Sequence, residues 1–123
     1  MKHLINFDLF LFENESLSGS DIAEYISEIS PDGSKPDYFI EKYVLPNRFT
    51  RKKIDIRDLL NSDPDFKEYI ESNVPRYSEE DQIDEDGIHL PIVVYNGMVI
   101  DGYNRGLINY INGDYNVSAY VNE

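Results

Sequence analysis

The clearest pattern of apolar and polar positions lies in the last third of the chain. A short, β-branched apolar run from Pro91 to Tyr95 predicts a strand that begins at proline, as the first residue of a strand can. Asn96-Gly97 is the strongest two-residue hairpin signal, because both positions tolerate positive φ. Met98 to Asp101 is then predicted to return as the partner strand.

A glycine-led corner, a helix and a final strand are predicted to follow. Leu107, Ile108 and Ile111 share one face at helical spacing, and Gly113 stands where a helix commonly ends. Alternation beyond Gly113 predicts a strand with one face in the core. The core-facing positions of that strand are predicted to be Tyr115, Val117, Ala119 and Val121.

Two further helices are predicted upstream. Ser20 is the expected N-cap of a helix, which the prolines and glycine of 31–36 end. The apolar face of this helix is predicted to carry Ile22, Tyr25, Ile26 and Ile29. Asp63-Pro64 predicts the cap and first residue of a second helix. The residues that this second helix would turn toward the core are Phe66, Tyr69 and Ile70.

Two apolar segments have less regular patterns. Tyr38 to Leu45 is predicted to be a strand. Leu4 to Phe12 fits a strand or a short helix equally, because its pattern follows neither period. The dense acidic run Glu79 to Asp86 is predicted to be a solvated loop before the strand at Pro91.

The corner after Asp101 is the best candidate for a binding site. A glycine between a strand and a helix leaves main-chain N–H groups at the helix start, where an anion can bind. Arg105, one turn further, is placed to add a two-pronged contact to the same anion. Asp101 is the best single candidate for a general base or metal carboxylate, and a cap on the following helix is its favoured alternative.

The pattern Pro-Ile-Val-Val, short turn, Val-Ile-Asp-Gly-x-x-Arg, helix, glycine, Val-x-Ala-Tyr-Val resembles the ParB/sulfiredoxin-like fold over residues 39–123. The resemblance implies an α+β domain with a small mixed sheet and packed helices. It also implies that the Gly-x-x-Arg corner holds nucleotide phosphates. The corner residues that match are Gly102, Tyr103, Asn104 and Arg105. Residues 1–38 form an N-terminal extension that the resemblance does not cover, within a single domain of 1–123.

The resemblance implies a nucleotide ligand, such as ATP, ADP or CTP with Mg²⁺, and phosphoryl-transfer or nuclease chemistry. Two departures from the family pattern limit the chemistry that this sequence can support. Sulfiredoxin chemistry needs a cysteine at the corner, and the chain has none. Tyr103 and Asn104 stand where many relatives carry a histidine or a second arginine, which removes a cation from the phosphate site.

A basic cluster breaks the otherwise acidic sequence at Arg48, Arg51, Lys52, Lys53 and Arg57. In the family fold this segment lies near the corner, so the resemblance implies that Arg48, Arg51 and Lys52 cover the phosphates. The equally weighted alternative is that these side chains pair with the acidic surface.

Composition limits the partners. The chain has 123 residues, enough for one core, and a net charge of −13 from 24 acidic and 11 basic residues. A field of that sign repels duplex nucleic acid and anionic membranes. It fits either an ordinary solvated surface or an acidic face that imitates nucleic acid or binds a basic protein.

Other chemistry has little support in the sequence. No apolar run is long enough to span a bilayer, no signal peptide is evident, and the lack of cysteine fits a cytoplasmic location. His3 and His89 lack metal-ligand spacing, so no metal site is predicted. Two function classes are left: a nucleotide-binding domain, or a small acidic inhibitor of the immunity, anti-restriction or anti-defence type.

Overall fold

The computed structural model describes residues 15–29, 37–74 and 90–123, and it has the predicted α+β class. The strands are β1 (Ser16–Ser18), β2 (Arg48–Asp55), β3 (Ile92–Tyr95), β4 (Met98–Asp101) and β5 (Asn116–Asn122). The helices are α1 (Gly19–Ile29), α2 (Asp37–Phe39), α3 (Ile56–Ser62), α4 (Pro64–Ser72) and α5 (Tyr103–Asn112). A π-helical turn, Ile40–Val44, continues α2, and we call the two together the α2–π segment.

The strands form one mixed sheet in the order β1-β2-β5-β3-β4. Its neighbouring strands are antiparallel except β3 and β5, which run parallel. One row of paired residues crosses the sheet from Arg51 through Tyr120 and Val93 to Asp101. Because paired residues point to the same side of a sheet, this row brings side chains from β2, β5, β3 and β4 onto one face.

The sheet separates two apolar cores. On one face, α1 and the α2–π segment cover a core that includes Leu17, Ile22, Tyr25, Val44, Phe49, Val93 and Tyr120. On the other face, α3, α4 and α5 cover a core that includes Ile56, Leu59, Phe66, Ile92, Val99, Leu107 and Ala119. The described part of the predicted N-terminal extension thus belongs to the fold, since β1 pairs with β2 and α1 fills one of the cores.

Asp63 joins two elements of this architecture. Its Oδ1 accepts from the main-chain N–H groups of Asp65 and Phe66, as the predicted N-cap should. Its Oδ2 accepts from the N–H of Val99 across 2.8 Å. One buried carboxylate therefore starts α4 and also fixes that helix to β4.

The predicted elements of the last third of the chain are present. The hairpin turns at Asn96 and Gly97, both with positive φ, and Gly113 ends α5 in the left-handed conformation. Val117 and Ala119 face the core under α3, α4 and α5, as the alternation predicted. The prediction that one face of this strand lies in a core is incomplete, because Tyr120 is buried in the opposite core and Ser118 is buried as well. Ile111 also differs from the prediction, because it lies in the last turn of α5 and is 57% exposed.

The prediction of a strand at Tyr38–Leu45 is wrong, because this stretch is helical. Leu45 N–H donates to the Ile40 carbonyl across 2.9 Å, which closes the wider π turn. The side chains that pack toward the core are Phe39, Ile40, Tyr43 and Val44. These are two pairs four residues apart, a helical spacing that was present in the sequence.

Three smaller differences lie between residues 18 and 62. The cap of α1 is Ser18 rather than Ser20, since Ser18 Oγ accepts from the N–H of Asp21. The sequence analysis assigned no strand to Arg48–Asp55 and no helix to Ile56–Ser62. The many charged residues of β2 hide its alternation of inward and outward positions, although Phe49 points into the core.

Some predictions lie outside the described residues: those for Leu4–Phe12, for Glu79–Asp86, and for His3 and His89. Within the described ranges, no helix has both the length and the apolar character needed to cross a membrane.

Candidate functional site

The predicted strand–glycine–helix corner is present. Strand β4 ends at Asp101, Gly102 has φ of 109°, and α5 begins at Tyr103. The first internal hydrogen bond of the helix runs from the Gly106 N–H to the Gly102 carbonyl across 2.8 Å. A side chain at position 102 would lie 2.6 Å from Ile92 Cγ2, so both the backbone conformation and the space require glycine.

Arg105 does not present its guanidinium to a ligand at this corner. The side chain is buried, and its Nη2 donates to Asp101 Oδ2 across 2.8 Å and to the Pro91 carbonyl across 3.3 Å. The physical reason is that a buried charge needs a partner, and Asp101 lies four residues earlier, within reach. The hydrogens of Arg105 Nη2 are thus used inside the protein rather than on an anion.

Asp101 is likewise not accessible as a general base or as a metal ligand. It is 1% exposed and its carboxylate pairs with Arg105, so it has no open surface at which to take a proton or bind a metal. Among the described residues, no group of three or more histidine, cysteine or acidic side chains is arranged to hold a metal ion.

The Asp101–Arg105 pair belongs to a buried polar cluster that we define as Tyr25, Arg51, Asp101, Arg105 and Tyr120. The Tyr25 O–H donates to the Pro91 carbonyl across 2.5 Å, the same oxygen that Arg105 contacts. The Tyr25 and Tyr120 rings meet edge to face at 5.0 Å. The Pro91 carbonyl, which precedes β3, therefore accepts hydrogen bonds from Tyr25 on α1 and from Arg105 on α5.

Burial and charge set the protonation of this cluster. Burial raises the pKa of Tyr25 well above its usual value, against a smaller lowering by the nearby Arg105 charge. Burial alone would lower the pKa of Arg105, but its interactions with Asp101 and Tyr25 together outweigh burial and the pKa is raised. Burial also raises the pKa of Tyr120 well above its usual value. The two phenols are therefore neutral and the guanidinium charged at ordinary pH.

The three cations that were predicted to cover a phosphate are not brought together. Arg51 is buried on the α1 side of β2, whereas the neighbouring Lys52 is exposed and points to the opposite side. Arg48 lies near the start of β2, where its Nε donates to Ser16 Oγ and its Nη2 to the Ser16 carbonyl. Of these three cations, only Arg51 belongs with Arg105 to the buried polar cluster.

Tyr103 and Asn104 are half-buried at the start of α5. The ring of Tyr103 packs edge to face against Phe66 at 5.4 Å and Tyr69 at 5.1 Å. Burial, helped by the charges of Asp63 and Asp65, raises the pKa of Tyr103 to about 12. Tyr103 thus supports the packing of α5 on α4.

The polar role of Tyr25 and of the Pro91 carbonyl was not predicted from the sequence. Tyr25 was predicted to lie on the apolar face of its helix, which is confirmed. The partner of its O–H, however, lies 66 residues away in the chain. No local spacing signals such a contact. A buried tyrosine does need a partner for its hydroxyl, and that requirement is the only signal the sequence offered.

Comparison with protein-family models, with curated proteins and with solved structures returned no match to this chain. The resemblance to the ParB/sulfiredoxin-like fold therefore stays a prediction from the residues of the corner.

Proposed function

We propose that this protein acts by binding a basic partner protein, and that the α+β fold is the scaffold for the binding surface. The observation that carries the proposal is the outward face of α1. Asp21, Glu24 and Glu28 are all exposed there, and spacings of three and four residues place them on one face. The helix contains no lysine or arginine.

The positions of the arginines strengthen the acidic field. Arg51 and Arg105 are buried, so two of the 11 basic residues contribute little to the surface that a partner meets. Opposite charge accelerates the encounter of two proteins and selects among partners, more than it adds to final affinity. An acidic helix face on a strongly negative protein is suited to that task. An inhibitor of the immunity or anti-restriction type is the specific form of this proposal.

The test is a comparison of two charge-reversal variants. One variant carries Asp21→Lys, Glu24→Lys and Glu28→Lys on α1, and the matched control carries Asp65→Lys, Glu68→Lys and Glu71→Lys on α4. Both sets are exposed and both change the net charge equally. Each protein is immobilised, exposed to a cell extract, and the retained proteins are quantified by mass spectrometry after circular dichroism has shown that the fold is intact.

We expect at least one basic protein to be retained by the wild type and by the α4 variant and lost from the α1 variant. The purified partner should then bind the α1 variant at least about tenfold more weakly, a difference of about 1.4 kcal/mol. Equal loss from both variants would indicate general charge attraction, and it would contradict the proposal. Retention of no protein by the wild type would contradict it as well.

Nucleotide binding at Gly102–Arg105 is the second candidate, and the left-handed Gly102 followed by a ten-residue helix is the observation that favours it. The main-chain N–H groups, rather than Arg105, would then hold the phosphates. The test is calorimetric titration with ATP, ADP and CTP, with and without Mg²⁺. Asn104→Asp should abolish binding by repulsion while it favours the helix start, and Asn112→Asp at the far end of α5 is the matched control. Absence of heat with every nucleotide would contradict this candidate.

A further inference from the structure

A groove lies between α1 and the α2–π segment, on the side of the sheet that α1 covers. Its volume is about 310 Å³, and its lining includes Ala23, Ile26, Asp37, Ile40, Glu41 and Leu45. We call it the α1–π groove. It lies within the described ranges and is separate from the corner at Gly102.

The floor of the α1–π groove is apolar and its mouth carries exposed apolar surface. Ala23, Ile26 and Ile40 pack against the core beneath it. Leu45, at the edge, is 46% exposed, and Tyr38 on the same segment is 66% exposed. Exposed large apolar side chains beside a groove are a common mark of a protein-binding surface.

The rim of the groove is acidic. Asp37 and Glu41 line it and are exposed, and Glu24 follows Ala23 on the facing helix. The cation nearest in sequence is Lys42, whose Nζ lies over the Tyr43 ring at 5.3 Å from its centroid. A partner with apolar side chains flanked by lysine or arginine would complement both the floor and the rim.

From these features we infer that the α1–π groove binds a basic amphipathic helix of the partner protein. The inference rests on the proposed function and names the surface and the partner's chemistry. The described residues that line the groove lie on helical segments, whose backbone hydrogen bonds are internal, so these residues offer an extended peptide no strand edge to pair with. An amphipathic helix needs only side-chain contacts, through apolar residues spaced at i, i+3, i+4 and i+7.

The experiment uses two synthetic peptides and the full chain. The first peptide places leucines at i, i+3, i+4 and i+7 with lysines at the remaining positions. The second has the same composition with its leucines distributed around the helix. Binding is measured by calorimetry, and the contact surface is mapped by changes in backbone amide chemical shifts in NMR spectra.

Two pairs of variants locate the site. Leu45→Lys places a charge at the mouth of the groove, and Ile111→Lys, at an exposed isoleucine in the last turn of α5, is its control. Glu41→Lys alters the rim, and Glu68→Lys on α4 is its control. All four positions are exposed, and urea unfolding checks that each variant folds.

We expect the patterned peptide to bind at least about tenfold more tightly than the scrambled one, because only the patterned helix can bury its leucines together in the groove. Shift changes should centre on Ala23, Ile26 and Ile40, and Leu45→Lys and Glu41→Lys should each weaken binding while their controls do not. Equal binding of the two peptides, or shifts centred on α4, would overturn the groove inference and leave the charge-reversal test of the proposed function standing. A large loss of stability in Leu45→Lys would show that the chain's own residues fill the groove, and this too would overturn the inference.

Discussion

Arg105 and Asp101 neutralise each other inside the protein, with Nη2 of the arginine 2.8 Å from Oδ2 of the aspartate. The pair lies at the corner where an exposed arginine was predicted to bind a phosphate. Tyr25 and Arg105 both donate to the Pro91 carbonyl, which ties the pair to α1 and to the start of β3. The corner therefore holds α1, β4 and the start of β3 together, with or without a ligand.

Removal of Arg105 should destabilise the fold strongly. Arg105→Ala leaves the buried Asp101 carboxylate without the charge of Arg105, and breaking a buried ion pair typically costs about 3–5 kcal/mol. The double variant Asp101→Leu/Arg105→Met removes both charges and should be more stable than Arg105→Ala. The measurement is urea unfolding of the three proteins.

The control for this prediction is the exposed pair of Asp55 and Arg57, whose side chains meet at 2.7 Å. Arg57→Ala should change stability little, because solvent screens that pair. If Arg105→Ala proved as mild as Arg57→Ala, the guanidinium would be free enough to serve a ligand. The same result decides whether Arg105→Ala can be used as a control in nucleotide titrations.

The backbone of the corner could be predicted from sequence, whereas the direction of its arginine could not. A hairpin dipeptide, a glycine before a helix and period-two alternation are local signals, and Asn96, Gly102 and Ala119 behave as those signals indicate. The orientation of Arg105 depends on the Pro91 carbonyl and Tyr25, which come from other elements. No spacing within residues 101–105 contains that information.

The segment Tyr38–Leu45 shows a second limit. An apolar and aromatic run of eight residues has the length and composition of a strand. Its conformation is decided by packing, because Phe39 and Tyr43 must both reach the core on the α1 side, and their rings meet at 4.7 Å. Residues four apart can do so on a helix, and Ile40 and Glu41 of the same segment line the α1–π groove.

Asp63→Ala should lower the stability of the fold more than the loss of an ordinary helix cap does. A cap is worth about 1 kcal/mol, and the buried Val99 N–H would lose its partner at a further cost of about 1–3 kcal/mol. Asp55→Ala is the matched control, because Asp55 caps α3 but its side chain is partly open to solvent. Urea unfolding should show the larger loss for Asp63→Ala, and an equal loss would mean that the bond to Val99 contributes nothing.

Asp55 should make the stability depend on pH in the acid range. The hydrogen bond from the Arg57 side chain, with that from its main-chain N–H, lowers the pKa of Asp55 from 3.8 to about 2. A carboxyl whose pKa is lower in the folded state stabilises the protein above the unfolded value, and this contribution is lost as the pH falls from about 4 to about 2. Asp55→Asn should therefore flatten the dependence of the unfolding free energy on pH across that window.

An NMR titration checks the same prediction directly. The Asp55 carboxyl should titrate near 2 in the wild type and return toward 3.8 in Arg57→Gln. An unchanged midpoint in Arg57→Gln would show that Arg57 is not the cause of the lowered pKa.

Gly19→Ala should destabilise the protein and disturb the α1–π groove together. A methyl group at Gly19 would lie 2.6 Å from the Leu45 carbonyl oxygen and 2.8 Å from that of Asn47, so the start of α1 would have to move away from the end of the α2–π segment. We expect a loss of about 3 kcal/mol or more, at the upper end of overpacking costs. The control is Gly113→Ala, where no atom lies within 4 Å and only the left-handed φ of 78° is penalised, at about 1–2 kcal/mol. Urea unfolding compares the two variants, and NMR shifts of Ala23 and Ile40 should change in Gly19→Ala alone. Equal stability of the two variants would mean that the close approach of α1 to the π-helical turn is not required by the fold.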